Sequence, residues 1–298
     1  MPQAFSNFDF LYFDLQHRMN WGFRVFDDRS FFTAVSQDNF NLDRHQIYRE
    51  TGAIGLVSYP FTRYHRIDAG IGYESRQIAY PTQINLGGVN VIAFLERRDN
   101  FPLVTSTFSG DTTIFKQFGP ISGHRYDLSA SYAPDTKQHG TLTQDFQVDA
   151  RQYLQVTSRS LLAARLFAGY STGNLPNFYY FGGLNTLRGY DFRSLIGTRA
   201  GFVNLEYRFP LVDVLATPIL IFQNVRGNLF FDIGAANFKG QPFTFQQNHR
   251  LVDAKAALGY GFSFNFLGLE LHWDFAKRFD GKTTTGKYRT EFWIGETF

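Results

Sequence analysis

The segment RTEFWIGETF, residues 289–298, carries the reading that decides the fold. Phe292, Ile294 and Phe298 fall on one side of an extended chain, and Arg289, Glu291, Trp293, Gly295 and Thr297 fall on the other. Strand side chains alternate between two faces with period two. One face here is greasy and the other carries charge and glycine, as expected of a strand that meets hydrocarbon on one side and a wet lumen on the other. The pattern recurs upstream. In Arg125–Tyr132, Tyr126, Leu128, Ala130 and Tyr132 oppose Arg125, Asp127, Ser129 and Ser131. In Asp253–Phe264, Leu258, Tyr260, Phe262 and Phe264 oppose Gly259, Gly261 and Ser263. In Leu267–Phe275, Leu269, Leu271 and Trp273 oppose Glu270, His272 and Asp274.

Counting such segments predicts about thirteen strands, with the others near 6–15, 19–32, 47–59, 64–78, 103–114, 141–154, 159–171, 201–210, 219–237 and 288–298. The segments at 6–15 and 47–59 alternate poorly. A soluble sandwich buries its apolar faces against one another and exposes mixed ones. Paired charges and glycines on the second face favour a transmembrane antiparallel β-barrel instead. Composition agrees: 298 residues include 35 Phe and 16 Tyr, the aromatic content that barrels place facing lipid and in girdles at both interfaces. No apolar run is long enough for a transmembrane helix. Mean hydropathy is negative, as it is when only every second strand residue is apolar.

The predicted connections alternate between short ones, near 16–18, 60–63, 115–121, 155–158, 211–218 and 265–267, and long ones, near 33–46, 79–102, 133–140, 172–200, 238–251 and 279–287. Outer-membrane barrels have short periplasmic turns and long external loops. An odd strand count leaves an unsatisfied edge in lipid. The expectation is therefore that the 1–298 barrel domain is the carboxy-terminal part of a sixteen-stranded barrel, with three strands before residue 1. A count in error by one gives a closed barrel of twelve or fourteen strands. The first thirty residues contain Asp9, Asp14, His17 and Arg18 and do not read as a signal peptide, which also suggests a piece of a longer chain.

The segment 177–211, NFYYFGGLNTLRGYDFRSLIGTRAGFVNLEYRFPL, contains Gly182–Gly183, then Leu187-Arg188-Gly189-Tyr190, then Asn204-Leu205-Glu206-Tyr207-Arg208-Phe209-Pro210. With five strands before a terminal Phe, this resembles the sixth extracellular loop and following strand of the BamA/TamA family, the bacterial surface antigen barrels. The resemblance is clear over about 120–298. Before that, only the strand pattern and Gly119-Pro120-Ile121-Ser122-Gly123 look familiar. It implies a loop folded back into the lumen, its Arg188 pairing with inward acids on the next two strands, Glu206 and Asp232. Alternation alone also turns both acids inward, opposite Leu205 and Ile233. Arg188, Gly189, Tyr190, Glu206 and Asp232 are thus candidate members of a loop latch. A structural ion pair that only plugs the pore and a working part of a transport machine both remain open.

The same resemblance implies a bacterial outer membrane location, lipid around the barrel, and client outer-membrane proteins or periplasmic domains as partners. The implied role is insertion or translocation of envelope proteins through a weak seam at the last strand. Phe292, Ile294, Gly295 and Phe298 are the candidate seam residues, and Gly295 with Glu296 would weaken the closure. A different class of function is a passive pore or membrane anchor for a periplasmic domain. A third is a soluble β-rich binding protein.

Enzymatic and cofactor chemistry finds no foothold in the residues. None of the seven histidines has metal-ligand spacing. His272, between Glu270 and Asp274, reads as a lumen hydrogen-bonding residue rather than a catalytic one. Gly70-Ile71-Gly72 and Gly259-Tyr260-Gly261 lie inside strands, without the strand-to-helix setting of a nucleotide loop. No nucleophile-elbow motif is present. The net charge of +3 is spread without a basic run, so nucleic acid is not an expected partner. No catalytic residue, metal or cofactor is expected.

Overall fold

The computed structural model describes residues 7–33, 45–86, 89–116, 119–137, 139–216, 221–266 and 269–295. Every helix or strand among them is a strand. These are β1 (Phe8–Asp14), β2 (Asn20–Thr33), β3 (His45–Pro60), β4 (His65–Leu86), β5 (Val89–Asp111), β6 (Ile114–Lys116), β7 (Gly119–Pro134), β8 (Thr141–Gln155) and β9 (Leu161–Thr172). They continue with β10 (Tyr179–Phe181), β11 (Leu195–Gly197), β12 (Arg199–Ala216), β13 (Ile221–Asn237), β14 (Gln246–Gln247), β15 (Arg250–Leu251), β16 (Lys255–Phe266), β17 (Leu269–Phe279) and β18 (Thr284–Ile294). Thirteen follow one another in a single antiparallel sheet, β1-β2-β3-β4-β5-β7-β8-β9-β12-β13-β16-β17-β18, with β6 paired to β7. The ribbons β10–β11 and β14–β15 stand outside it.

The chain divides into two compact units. One is drawn from residues 1–61, 66–106 and 131–143, the other from 62–65, 107–130 and 144–298. In the first, the charged side chains of Asp27, Glu74, Arg76 and Asp99 are buried. Arg49 grips Asp27 through both carboxylate oxygens, each at 2.7 Å, and Arg76 pairs with Glu50 at 3.0 Å. Many of its large apolar side chains lie in the open: Phe8, Phe10, Trp21, Phe23, Ile71 and Tyr73 are all exposed.

The second unit repeats this inversion. Asn204, Glu206 and Arg208 of β12 are buried, as are Asp232 of β13, His272 and Asp274 of β17 and Glu291 of β18. Between them Leu205 is 47% exposed, Leu229 52%, Tyr260 47% and Phe292 49%. Leu166 and Trp273 lie open on the same outer side. Register aligns the buried polar face across strands. Glu206 stands in one row with Phe230, Gly259, Ala276 and Arg289, and Arg208 in the next with Asn228, Gly261, Asp274 and Glu291. The two glycines keep these rows open. A Cβ on Gly259 would lie 2.1 Å from the Phe275 carbonyl oxygen and 2.5 Å from the Phe230 ring, and one on Gly261 would lie 2.0 Å from the Asp274 carboxylate. Their role is thus more specific than the strand coiling expected of small inward residues.

Several predicted boundaries require correction. The stretch 79–102, expected as a long loop, belongs mostly to β4 and β5, with residues 87–88 outside the described part. Pro81 lies within β4 and Pro102 within β5. Likewise β12 runs through the expected turn at 211–218 as far as Ala216. Pro210 is accommodated because the register shifts between Pro210 and Val212, and a bulge is where a strand tolerates a residue without an N–H. The segment 115–121 holds β6 and the start of β7 rather than a bare turn. The expected long loop 279–287 reduces to a tight turn at 280–283, since β18 begins at Thr284. Asp280 builds that turn by accepting from the Thr283 and Lys282 backbone N–H groups at 2.7 and 2.9 Å. The same bonds, Thr283's foremost, hold its carboxyl below the usual carboxylate range. Most of the expected loop 33–46 lies outside the described residues.

Gly259→Ala should destabilise the fold by about 1–3 kcal/mol, the usual range for overpacking, because a backbone carbonyl faces the new methyl. The check is the temperature at which the folded, fast-migrating gel form is lost. An unchanged temperature would show that the row has slack.

Candidate functional site: an arginine inserted among carboxylates

The loop between β9 and β12 is organised by its own hairpin and by glycines. Tyr179–Phe181 pairs with Leu195–Gly197. Gly182 and Gly183 take φ values of 126° and 70°, and Leu184 follows at 48°. Glycine enters this left-handed region without steric cost, so the pair reverses the chain where other residues would be strained. The reversal closes with Gly183 N–H donating to the Leu187 carbonyl at 2.9 Å, while Thr186 Oγ1 accepts from Gly182 N–H at 3.0 Å and donates to the Gly183 carbonyl at 2.8 Å. Tyr179, Phe181 and Leu187 then pack with Ala200 and Phe202 into a small apolar cluster, with Phe167, Tyr190 and Leu195 at its edge. This cluster anchors the base of the loop against β9, β12 and β13.

The tip, Arg188 and Gly189, is buried. Arg188 is 1% exposed. Its Nε and Nη2 donate to the two oxygens of Asp232, each at 2.8 Å, and its own backbone N–H reaches Asp232 Oδ2 at 3.1 Å. Nη1 lies 2.7 Å from Glu206 Oε1 and 3.8 Å from Asp274 Oδ2. The planar guanidinium thus uses its forked donors on two strands at once, geometry that a lysine ammonium does not offer. The Phe230 ring, in the space Gly259 leaves free, sits under the guanidinium carbon at 3.6 Å.

The acids are themselves held. Arg208 Nε donates to Glu206 Oε2 at 2.7 Å. Asn204 Nδ2 donates to Asp232 Oδ1 at 2.8 Å and to the Thr186 carbonyl at 2.6 Å, tying the loop to β12. Asp274 receives Trp293 Nε1 at 3.0 Å and Asn228 Nδ2 at 3.3 Å. Gly189, with φ of 82°, presents both its backbone polar groups to side chains: its N–H donates to Glu291 Oε1 at 2.9 Å, and its carbonyl accepts from Arg278 Nε at 2.8 Å. A Cβ at Gly189 would lie 3.2 Å from the Ala276 Cβ. Tyr190 OH donates to the Ala256 carbonyl at 3.1 Å, and Arg278 lies over the Tyr190 ring.

The structure therefore brings Arg188, Gly189, Tyr190, Glu206 and Asp232 together. Sequence reasoning missed Asn204, Asp274, Arg278, Arg289, Glu291 and Trp293 as members of the set. The same alternation that turned Glu206 and Asp232 inward turns Asp274 and Glu291 inward on β17 and β18, so the signal for those two was available. Asn204 and Arg278 are turned inward by the same alternation, but the loop groups that they meet depend on register, which one sequence does not show. Of the candidate seam residues, Phe292 and Ile294 project from the exposed face of β18, with Phe292 edge-on to Trp273 at 5.2 Å. Gly295 takes φ of 148° and donates its N–H to the Glu270 carbonyl. Phe298 and Glu296 lie outside the described residues. His272 stacks on the Trp293 ring at 3.8 Å, and its Nε2 donates to the Gly295 carbonyl at 2.9 Å.

Burying one cation among several acids is favourable only while all remain paired, and breaking such a set by deleting one partner typically costs about 3–5 kcal/mol. Arg188→Ala should therefore lower the unfolding temperature and expose the loop to chymotrypsin at Leu187 and Tyr190. Arg188→Lys should rescue only part of the loss, because the ammonium is a point charge without the two-pronged geometry. Unchanged protease protection together with unchanged heat-modifiable mobility would show that the pairing does not hold the loop.

Comparison with known proteins places this geometry in a family. The Omp85 superfamily domain matches residues 5–298. No curated protein matches the chain in sequence. Among solved structures, BamA from Haemophilus ducreyi lacking POTRA domains 1-3 is similar with a TM-score of 0.71 at 14% identity, over 97% of this chain and 62% of that one. CdiB from Acinetobacter baumannii is similar with a TM-score of 0.53 at 13% identity, over 97% of this chain and 49% of that one. CdiB from Escherichia coli gives 0.50 at 12% identity, over 93% and 49%. The chain thus spans about half to two thirds of the length of these structures, and at such identities the likeness is one of fold. With the family domain matched over nearly its whole length, the chain belongs to the Omp85 superfamily.

Proposed function

We propose that this chain is the membrane-embedded part of an outer-membrane protein that inserts or exports other envelope proteins. The observation that carries the location is the inverted burial. Arg188, Asn204, Asp232 and Asp274 are all at or below 1% exposed, while the leucines and aromatics beside them in the strands are half exposed. In water such a surface would drive aggregation. In a bilayer the same surface is the one that meets acyl chains, and strands satisfy their backbone groups within the sheet. The proposed partners are accordingly outer-membrane lipid on the apolar face and client envelope proteins or periplasmic domains at the working end.

The activity rests on Omp85 membership together with the geometry of the last strand. Strand addition supplies affinity through main-chain hydrogen bonds to an exposed sheet edge, so an incoming client strand can pair there with little net change in bonding. β18, with Phe292 and Ile294 outward and Gly295 at its end, is the proposed receiving edge. The inserted Arg188 loop acts in this reading as a latch that keeps the polar interior ordered while the edge works.

Two measurements test the reading. Leu229→Arg should cost about 2–4 kcal/mol if the residue lies near the bilayer midplane, whereas the same change on a water-facing surface would be nearly neutral. Thermal unfolding in lipid vesicles separates the two. Vesicles containing the complete protein should also accelerate membrane insertion of an unfolded outer-membrane barrel precursor over protein-free vesicles. Steady ion conductance without any such acceleration would overturn the assembly role in favour of a passive pore or anchor.

A further inference from the structure

We infer that the inserted loop and the last strand, β18, hold each other in place, with Arg289, Glu291 and Trp293 as the positioning residues. These are successive inward side chains of one strand, and each is engaged with the loop or its acids. Arg289 Nη1 pairs with Asp191 of the loop at 2.6 Å. Glu291 Oε1 accepts the Gly189 N–H at 2.9 Å. Trp293 Nε1 donates at 3.0 Å to Asp274 Oδ2, the same oxygen that lies 3.8 Å from Arg188.

A second observation shows why β18 needs this support. Its ladder with β17 is interrupted: Ala276 pairs with Arg289 and Arg278 with Thr285, with a register shift between them. A bulge leaves residues unpaired and loosens the ladder locally. The loop contacts begin at Arg289, where regular pairing resumes. The side chain at the break on the β17 side, Arg278, also turns to the loop and donates to the Gly189 carbonyl at 2.8 Å. The weak point of the β17–β18 pairing is thus bridged by the loop tip.

Two elements that stabilise each other are linked reciprocally: withdrawing the loop loosens β18, and displacing β18 loosens the loop by the same factor. This goes beyond a latch that merely fills the interior, because it ties the state of the loop to the strand at the end of the sheet. It requires no client and makes no use of insertion activity.

The test is hydrogen exchange on the purified complete protein in detergent micelles. Arg188→Ala removes no side chain of β18, yet it should speed exchange of the β18 amides at 289–294 tenfold or more and leave those of β7 and β8 as they are in the parent. A loop that becomes protease-sensitive while β18 exchange is unchanged would overturn the inference. The reciprocal arm uses trypsin at the buried Arg188–Gly189 bond. Glu291→Ala should open it, and Glu291→Gln, which keeps an acceptor oxygen for Gly189 N–H, should preserve most of the protection. Equal cleavage in parent, Gln and Ala variants would overturn the inference as well, and this arm decides alone if Arg188→Ala does not fold. Neither readout involves a client, so its outcome is separate from that of the insertion assay.

Discussion

A guanidinium removed from water needs its charge compensated and its donors bonded, and that constraint organises the site around Arg188. Arg188 satisfies it with Glu206 of β12, Asp232 of β13 and Asp274 of β17, with β16 standing between the last two strands. The carboxylates have to face one another across the polar side of the sheet, so each strand must keep its alternation in phase with its neighbours. A slip of one residue in β13 would turn Asp232 outward and leave the arginine unpaired. The ion set is therefore also a lock on strand register, which is the best-attested use of buried charge.

The polar interior and the apolar exterior are two expressions of the same alternation. What is conventionally the core is here a surface, and what is conventionally the surface is a core of hydrogen bonds. Around the loop tip, room is made by glycine and alanine, while the base of the loop packs through Phe181, Leu187 and Phe202. Gly259 yields its place to the Phe230 ring, Gly261 to the Asp274 carboxylate, and Ala257 and Ala276 form the shallow seat of Gly189. Small residues matter in these rows because a whole loop has to be housed there.

Much of this was legible in the sequence. Period-two alternation placed Glu206, Asp232, His272 and Asp274 inward, and the flanked Arg188-Gly189-Tyr190 triplet marked the loop that meets them. Strand number was also readable, since each strand carries its own apolar face. Boundaries were less so, because alternation weakens toward strand ends and at bulges. Pro210 sits at a bulge inside β12, and Pro102 lies within β5. The remaining gap concerns which inward residues stand level with one another. Alternation turns Arg278 inward with Asp274, but which loop group it meets is set by the pairing across strands, and pairing of that kind leaves no periodic trace in one chain.

The bond between Gly189 and Glu291 joins positions 102 residues apart. Contacts that distant in the chain bring a large loop-closure entropy and form late during folding. Until the final strand docks, Arg188 can find Glu206 and Asp232, but the peptide nitrogen beside it has no acceptor from β18. Full bonding of the tip therefore requires the amino-acid chain to be complete through β18, with that strand in its paired frame.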